Sequence, residues 1–239
     1  MFKYFISIYL LFVFADGFSQ DQKTVNKEIS KDSISYKTAY GLRLGIDISK
    51  PILSLMSDTY SGFEIVGDYR ISKRIYIAAE IGYEEETTEE GITEEYFTNS
   101  TSKGSYVRLG FNFNAYKNWL NMNNEITIGY RYGFSLFDQT LNSYKPNVNS
   151  QNFPSNIITT PQTSNGLNAH WSEVVFGIKV ATFKNLFVSI SGSYKILMSI
   201  ENPENFKSLY SPGFNRIFES NTGFGFNYTI SYLIPFSKK

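Results

Sequence analysis

From Tyr40 onward the chain repeatedly sets large apolar residues at every second position. YGLRLGIDIS places Leu42, Leu44 and Ile46 on one face and Gly41, Arg43, Gly45 and Asp47 on the other. A period of two is the signature of a strand with one apolar side. The pattern returns in GFEIVGDYRI, where Phe63, Ile65 and Tyr69 oppose Glu64, Asp68 and Arg70. In IYIAAEIGY, Ile77 and Ile81 oppose Glu80, and in SYVRLGFNFNAY, Phe111 and Phe113 oppose Arg108. EITIGYRYGFSLF sets Ile128 and Tyr130 against Glu125 and Arg131, and HWSEVVFGIKV sets Phe176 and Ile178 against Glu173 and Lys179. LFVSISGSYKI sets Ile190 against Lys195. The closing segment FNYTISYLIPF sets Phe226, Tyr228, Ile230 and Tyr232 against Asn227, Thr229 and Ser231. The pattern predicts eight strands and an all-β fold.

The connections alternate in length. Short ones fall near 72–74, 117–124 and 182–185, and long ones near 50–61, 84–103, 138–168 and 199–222. An antiparallel up-and-down meander with all its long loops at one end is the arrangement of an outer-membrane barrel, short turns periplasmic and long loops extracellular. The apolar stretches run to the length a tilted strand needs to cross the hydrocarbon. No apolar run beyond the N-terminus is long enough for a spanning helix, which excludes a helical membrane protein but not a barrel.

Charge obeys the same parity. Arg43, Asp47, Glu64, Asp68, Arg70, Glu80, Arg108, Arg131, Glu173, Lys179 and Lys195 all lie opposite the apolar face. In a soluble barrel they would point outward; in a membrane barrel they fill the lumen, and Leu42, Leu44, Ile46, Phe111, Phe113, Ile128, Tyr130, Phe176, Ile178, Ile190, Phe226, Tyr228, Ile230 and Tyr232 face lipid. Parity alone does not choose between these. The loop asymmetry and the aromatic strand ends (Tyr40, Tyr69, Tyr83, Tyr116, Trp119, Tyr232 and Phe236) favour lipid. So does the N-terminus. MFKYFISIYLLFVFADGFSQ carries Lys3, an apolar run and small residues at Gly17 and Ser19, the anatomy of a secretory signal peptide over 1–19. Residues 20–38 are polar and aperiodic, which predicts a flexible periplasmic tail ahead of a barrel over 39–239. Within that tail Asp32-Ser33-Ile34 resembles a short bacterial O-glycosylation acceptor.

Composition removes other classes. The formal net charge of zero offers no basic surface for nucleic acid. There is no Cys and one His, so no disulfide framework and no thiolate- or histidine-rich metal site can be built, and no cofactor motif is present. Phe and Tyr number 21 and 18, a content that suits pleated, half-buried surfaces.

The segments YGLRLGIDISKPI, GFEIVGDYRISKRIYIAAEIGYEEE, YRYGFSLFDQTLNSY and LYSPGFNRIFES, with the GFGFNYTISYLIP ending, resemble an uncharacterised, domain-of-unknown-function family of Bacteroidota outer-membrane β-barrels. The architecture is also similar to small eight-stranded outer-membrane barrels. The resemblance implies a fold and a location in the outer membrane; it implies no activity and no catalytic residue.

Three features bear on function. His170 and Ser172 share one face of a strand, a pair seen in outer-membrane barrels that deacylate lipid A, yet Glu173 has the opposite parity and no carboxylate orients the pair. The run EEETTEEGITEEYF carries seven glutamates without a base and reads as a solvated loop, with weak divalent-cation binding next to lipopolysaccharide as its functional alternative. The lumen charges should pair as a structural plug, since buried charge is costly unpaired. The expected protein is non-enzymatic, with a structural or surface-interaction role. Its loops meet outer-membrane lipid, lipopolysaccharide or a surface protein. A small pore or a component of an export assembly is the alternative, and a lipid A-modifying enzyme the third reading.

Overall fold

The computed structural model describes residues 39–91, 97–116, 123–145, 156–204 and 206–238. The signal-peptide and tail segments, and Trp119 among the aromatic strand ends, lie outside the described residues. The strands are β1 (Ala39–Asp47), β2 (Tyr60–Arg70), β3 (Ile75–Glu90), β4 (Phe97–Asn114), β5 (Glu125–Lys145), β6 (Gln162–Phe183), β7 (Leu186–Ile200) and β10 (Thr222–Lys238). Each pairs antiparallel with its sequence neighbour, and β10 closes the ring between β7 and β1. A short helix α1 (Ser49–Met56) follows β1, and a two-stranded hairpin, β8 (Tyr210–Ser211) with β9 (Asn215–Arg216), lies between β7 and β10. The eight-stranded antiparallel barrel is the architecture the alternation predicts.

Sidedness is as strict as the alternation. Ile65, Ile77, Ile81, Phe111, Phe113, Ile128, Phe176, Ile178, Ile190 and Phe226 are each two-fifths exposed or more, all pointing outward. Their neighbours Arg43, Glu64, Asp68, Arg108, Arg131, Glu173 and Lys195 point inward and are buried. Leu42 lies on the outward face of β1, lining an external apolar groove with Leu44, Tyr69 and Ile77. The barrel therefore has an inverted distribution: charge inside, hydrocarbon outside.

Two long loops of the sequence reading are corrected. Residues 84–90 and 97–103 continue β3 and β4, while 138–145 and 162–168 continue β5 and β6. A reading based on outward apolar residues stops where those residues stop, although backbone pairing needs no apolar face. Beyond the apolar belt the four strands rise as a sheet whose outward residues are polar. Within Glu84–Glu90 the like charges meet neighbouring donors and bases. Glu85 stands opposite Lys103, Asn99 Nδ2 donates to Glu89 at 2.7 Å, and Arg216 reaches Glu90 at 2.9 Å. Among the described residues no group of three potential metal-ligating side chains converges.

Candidate functional site: the filled lumen

Inside the barrel, small residues make room for large ones. A Cβ on Gly133 would sit 2.1 Å from Cε2 of Trp171, so that glycine lets the indole lie against β5. The lumen side chains form three tiers.

At the short-turn end, Arg43 holds Asp68 at 2.5 Å and both oxygens of Glu125 at 2.7 and 3.0 Å. Tyr76 donates to Glu125 at 2.7 Å, and its ring lies 4.6 Å beneath the Arg43 guanidinium. Lys179 completes the tier on Asp68 at 2.5 Å.

In the middle tier, Arg108 meets Glu64 at 2.6 Å, Glu80 at 2.8 Å and Glu173 at 3.4 Å. Arg131 shares Glu80 at 3.2 Å, Tyr106 donates to Glu64, and Trp171 Nε1 donates to Glu173 at 2.5 Å. A cavity of about 70 Å³ remains between these tiers, lined by groups such as Ser189, Ser193, Asn227 and Thr229. Water occupies about 30 Å³ per molecule in the liquid, so the space suits a few waters, not a channel.

The third tier sits at the long-loop end and is made by two connections that turn inward. From the β8–β9 hairpin, Tyr210, Ser211, Pro212, Gly213 and Phe214 are all buried. Phe214 is fully enclosed, with its ring edge-on to Trp171 at 6.0 Å, in a cluster with Tyr106, Phe137, Leu167 and Leu197. Gly213 is required at the tip: its φ is +79°, and a Cβ there would lie 2.6 Å from Cγ of Tyr106. Two opposite charges grip the hairpin. Lys195 donates to the carbonyls of Gly213 and Phe214 at 2.7 and 3.4 Å. Glu84, with no exposed surface, accepts from the Gly213 amide at 2.7 Å and the Tyr210 hydroxyl at 2.8 Å. From the opposite side, α1 delivers Lys50 onto the same carboxylate, and Tyr60 donates to it at 3.1 Å. Asp47, at the start of this connection, accepts from Ser49 and Asn227.

Parity placed these charges inside but did not select their partners. Arg70 engages the carbonyls of Ser72 and Lys73 and the ring of Tyr76, and among the described residues no carboxylate, because it lies at the short-turn rim where turn carbonyls are nearer. Lys195 takes hairpin carbonyls, and Asp47 takes neutral donors, so the expectation that every lumen base meets a lumen acid fails at those positions. The sequence reading also missed Glu125 and Glu84 as lumen groups. Glu125 had the right parity to be found; Glu84 was hidden in a run of like residues. The inward aromatic cluster was missed because the outward face was taken as the apolar one throughout. Above the belt the interior packs as it does in a soluble protein. His170 and Ser172 face outward on β6, and Nδ1 of His170 is 2.7 Å from the Tyr132 hydroxyl.

Comparison with known proteins adds a family and a loose structural likeness. The family model described as Domain of unknown function (DUF6048) matches residues 1–239. No curated protein matches the chain. Among solved structures, the crystal structure of Ail, the attachment invasion locus protein of Yersinia pestis, is similar over 81% of this chain and 96% of that one. It shows 6% identity and a TM-score of 0.34.

Proposed function

We propose that this chain, which belongs to the family Domain of unknown function (DUF6048), spans the outer membrane as a closed, non-enzymatic barrel whose long-loop end serves as a surface-interaction platform. One observation carries this reading: the outward belt is apolar on every barrel strand, while the lumen is filled by ion pairs and sealed by an inward hairpin. Exposed apolar area on that scale is unstable in water, and lipid is the solvent that removes the cost. Carbonyl and amide groups meet the second requirement of a bilayer, since a closed ring leaves no unpaired strand edge within the belt.

The filled lumen favours an anchor over a pore. Buried carboxylates and bases pair within every tier, and the hairpin occupies the long-loop mouth. Against an esterase role, the Nδ1 of His170 is taken by Tyr132, and among the described residues no carboxylate orients it. The partners expected at the platform are lipopolysaccharide and proteins at the cell surface, met by the extended β3–β6 sheet and the loops above it. The test is reconstitution into lipid vesicles and planar bilayers. The expected result is a protease-resistant, lipid-inserted barrel with no steady conductance. A chain that folds in buffer without lipid or detergent would overturn the membrane assignment, and a large steady current would overturn the closed state.

A further inference from the structure

The outward apolar belt stops short on β6 compared with its neighbours. Running toward the long-loop end, its outward residues are Val180, Ile178, Phe176 and Val174, then Ser172 and His170. The register sets Ser199 of β7 directly opposite His170, so Ser199 shares its outward face. Apolar residues flank this polar notch on its belt side and on the neighbouring strands. Ile196 and Met198 of β7 are 46% and 63% exposed, and on β5 the belt continues past Phe134 to Leu136, which is 54% exposed. On β6 the next outward residue is Asn168, so the notch lies at the long-loop edge of the apolar band, where lipid headgroups meet a membrane barrel.

Polar atoms facing hydrocarbon are costly unless they are hydrogen-bonded. The protein supplies part of that bonding. Tyr132 and His170 are joined at 2.7 Å through Nδ1, and the imidazole is held between the rings of Phe134 and Tyr132, with centroids at 4.9 and 6.0 Å. When the phenol donates to Nδ1, Nε2 carries a ring proton and is a donor. The structure gives no protein partner for the hydroxyls of Ser172 and Ser199 among the described residues. His170, Ser172 and Ser199 are thus neighbours on one outward patch, and among the described residues the chain supplies no acceptor for their free donors.

Resting on the membrane reading, we propose that this notch docks the phosphate group of a membrane lipid. The phosphate oxygens accept from Nε2 of His170 and from the Ser172 and Ser199 hydroxyls, while the acyl chains lie along Phe134 and Ile196. The same chemistry is offered by a phospholipid and by a phosphorylated lipopolysaccharide. No bond is made or broken.

His170 is the single histidine of the chain, so its ring gives one unambiguous signal. Barrel labelled with ¹⁵N-histidine is inserted into vesicles of phosphatidylethanolamine and phosphatidylglycerol, and in parallel into vesicles of a phosphorus-free galactolipid supplemented with lipopolysaccharide. Solid-state magnetic resonance then reads the ¹⁵N tautomer and the ³¹P dephasing of Nε2. The expected result is an Nε2-protonated ring dephased by phosphorus in at least one preparation, and the preparation identifies the source. Tyr132→Phe, an outward change that leaves the barrel intact, should mix the tautomers and lose dephasing. Flotation with the vesicles checks insertion separately. Inserted protein without dephasing in either preparation overturns this site and leaves the membrane reading standing; protein that does not insert overturns both.

Discussion

Glu84 is the residue on which the closed long-loop end depends most directly. Its side chain has no exposed surface, while that of Lys50 retains 12%. Replacing Glu84 by Gln keeps the size and one acceptor for the Gly213 amide, but leaves the Lys50 ammonium without its counter-charge. Breaking a buried ion pair from one side costs about 3–5 kcal/mol. Because Lys50 stands on α1 at the rim and can turn toward water, the lower end applies, about 3 kcal/mol. Lys50→Met should cost more, since the enclosed Glu84 carboxylate has no route to solvent. The double variant Glu84→Gln with Lys50→Met then recovers much of the loss, and the coupling should exceed about 1.5 kcal/mol, well beyond the scatter of additive sites. Equilibrium urea unfolding of vesicle-inserted barrel measures it, followed by the fluorescence of Trp171 against Phe214. The second tryptophan, Trp119, is replaced by Phe throughout. Glu84→Gln should also release the hairpin and bring intermittent current steps in planar bilayers. Additive single variants and a silent bilayer would refute the role given to this carboxylate.

Two further outcomes follow from the same geometry. Phe176→Arg puts a charge on the outward belt, where Phe176 is 55% exposed; it should cost about 2–4 kcal/mol if lipid covers that face and almost nothing if water does, as vesicle and detergent unfolding titrations compare. Glu86 lies beyond the belt, and burial, then the charge of Glu84, raise its carboxyl from 4.5 to about 7. A raised folded value means the folded state favours protonation, so this group's stabilising contribution is complete below about pH 4.5 and lost as pH rises through about 7. Unfolding midpoints followed across that window should fall with rising pH, and Glu86→Gln should flatten the slope.

Much of this architecture was legible before any coordinates. Leu42, Leu44 and Ile46 alternate with Arg43 and Asp47 in the chain, and a pleated strand has to send them to opposite sides. Strand count and the apolar face of each strand follow from that local geometry, while the loop asymmetry and aromatic strand ends pointed that face outward. The extended upper strands did not, because Glu84–Glu90 carries no apolar signal and pairs through its backbone with 98–104. Nor did the lumen partners. Arg43 and Glu125 are 82 residues apart, and Arg108 and Glu173 are 65 apart; barrel closure and the tilt of the strands bring them together.

Sequence alone therefore determined which side of each strand a residue faces, since that depends only on a two-residue repeat. Tertiary structure alone decided what each inward group meets, and that the Pro212–Phe214 turn enters the lumen instead of standing outside it. Those outcomes rest on distances across a closed ring and on the space left by Gly133 and Gly213, which no local pattern encodes.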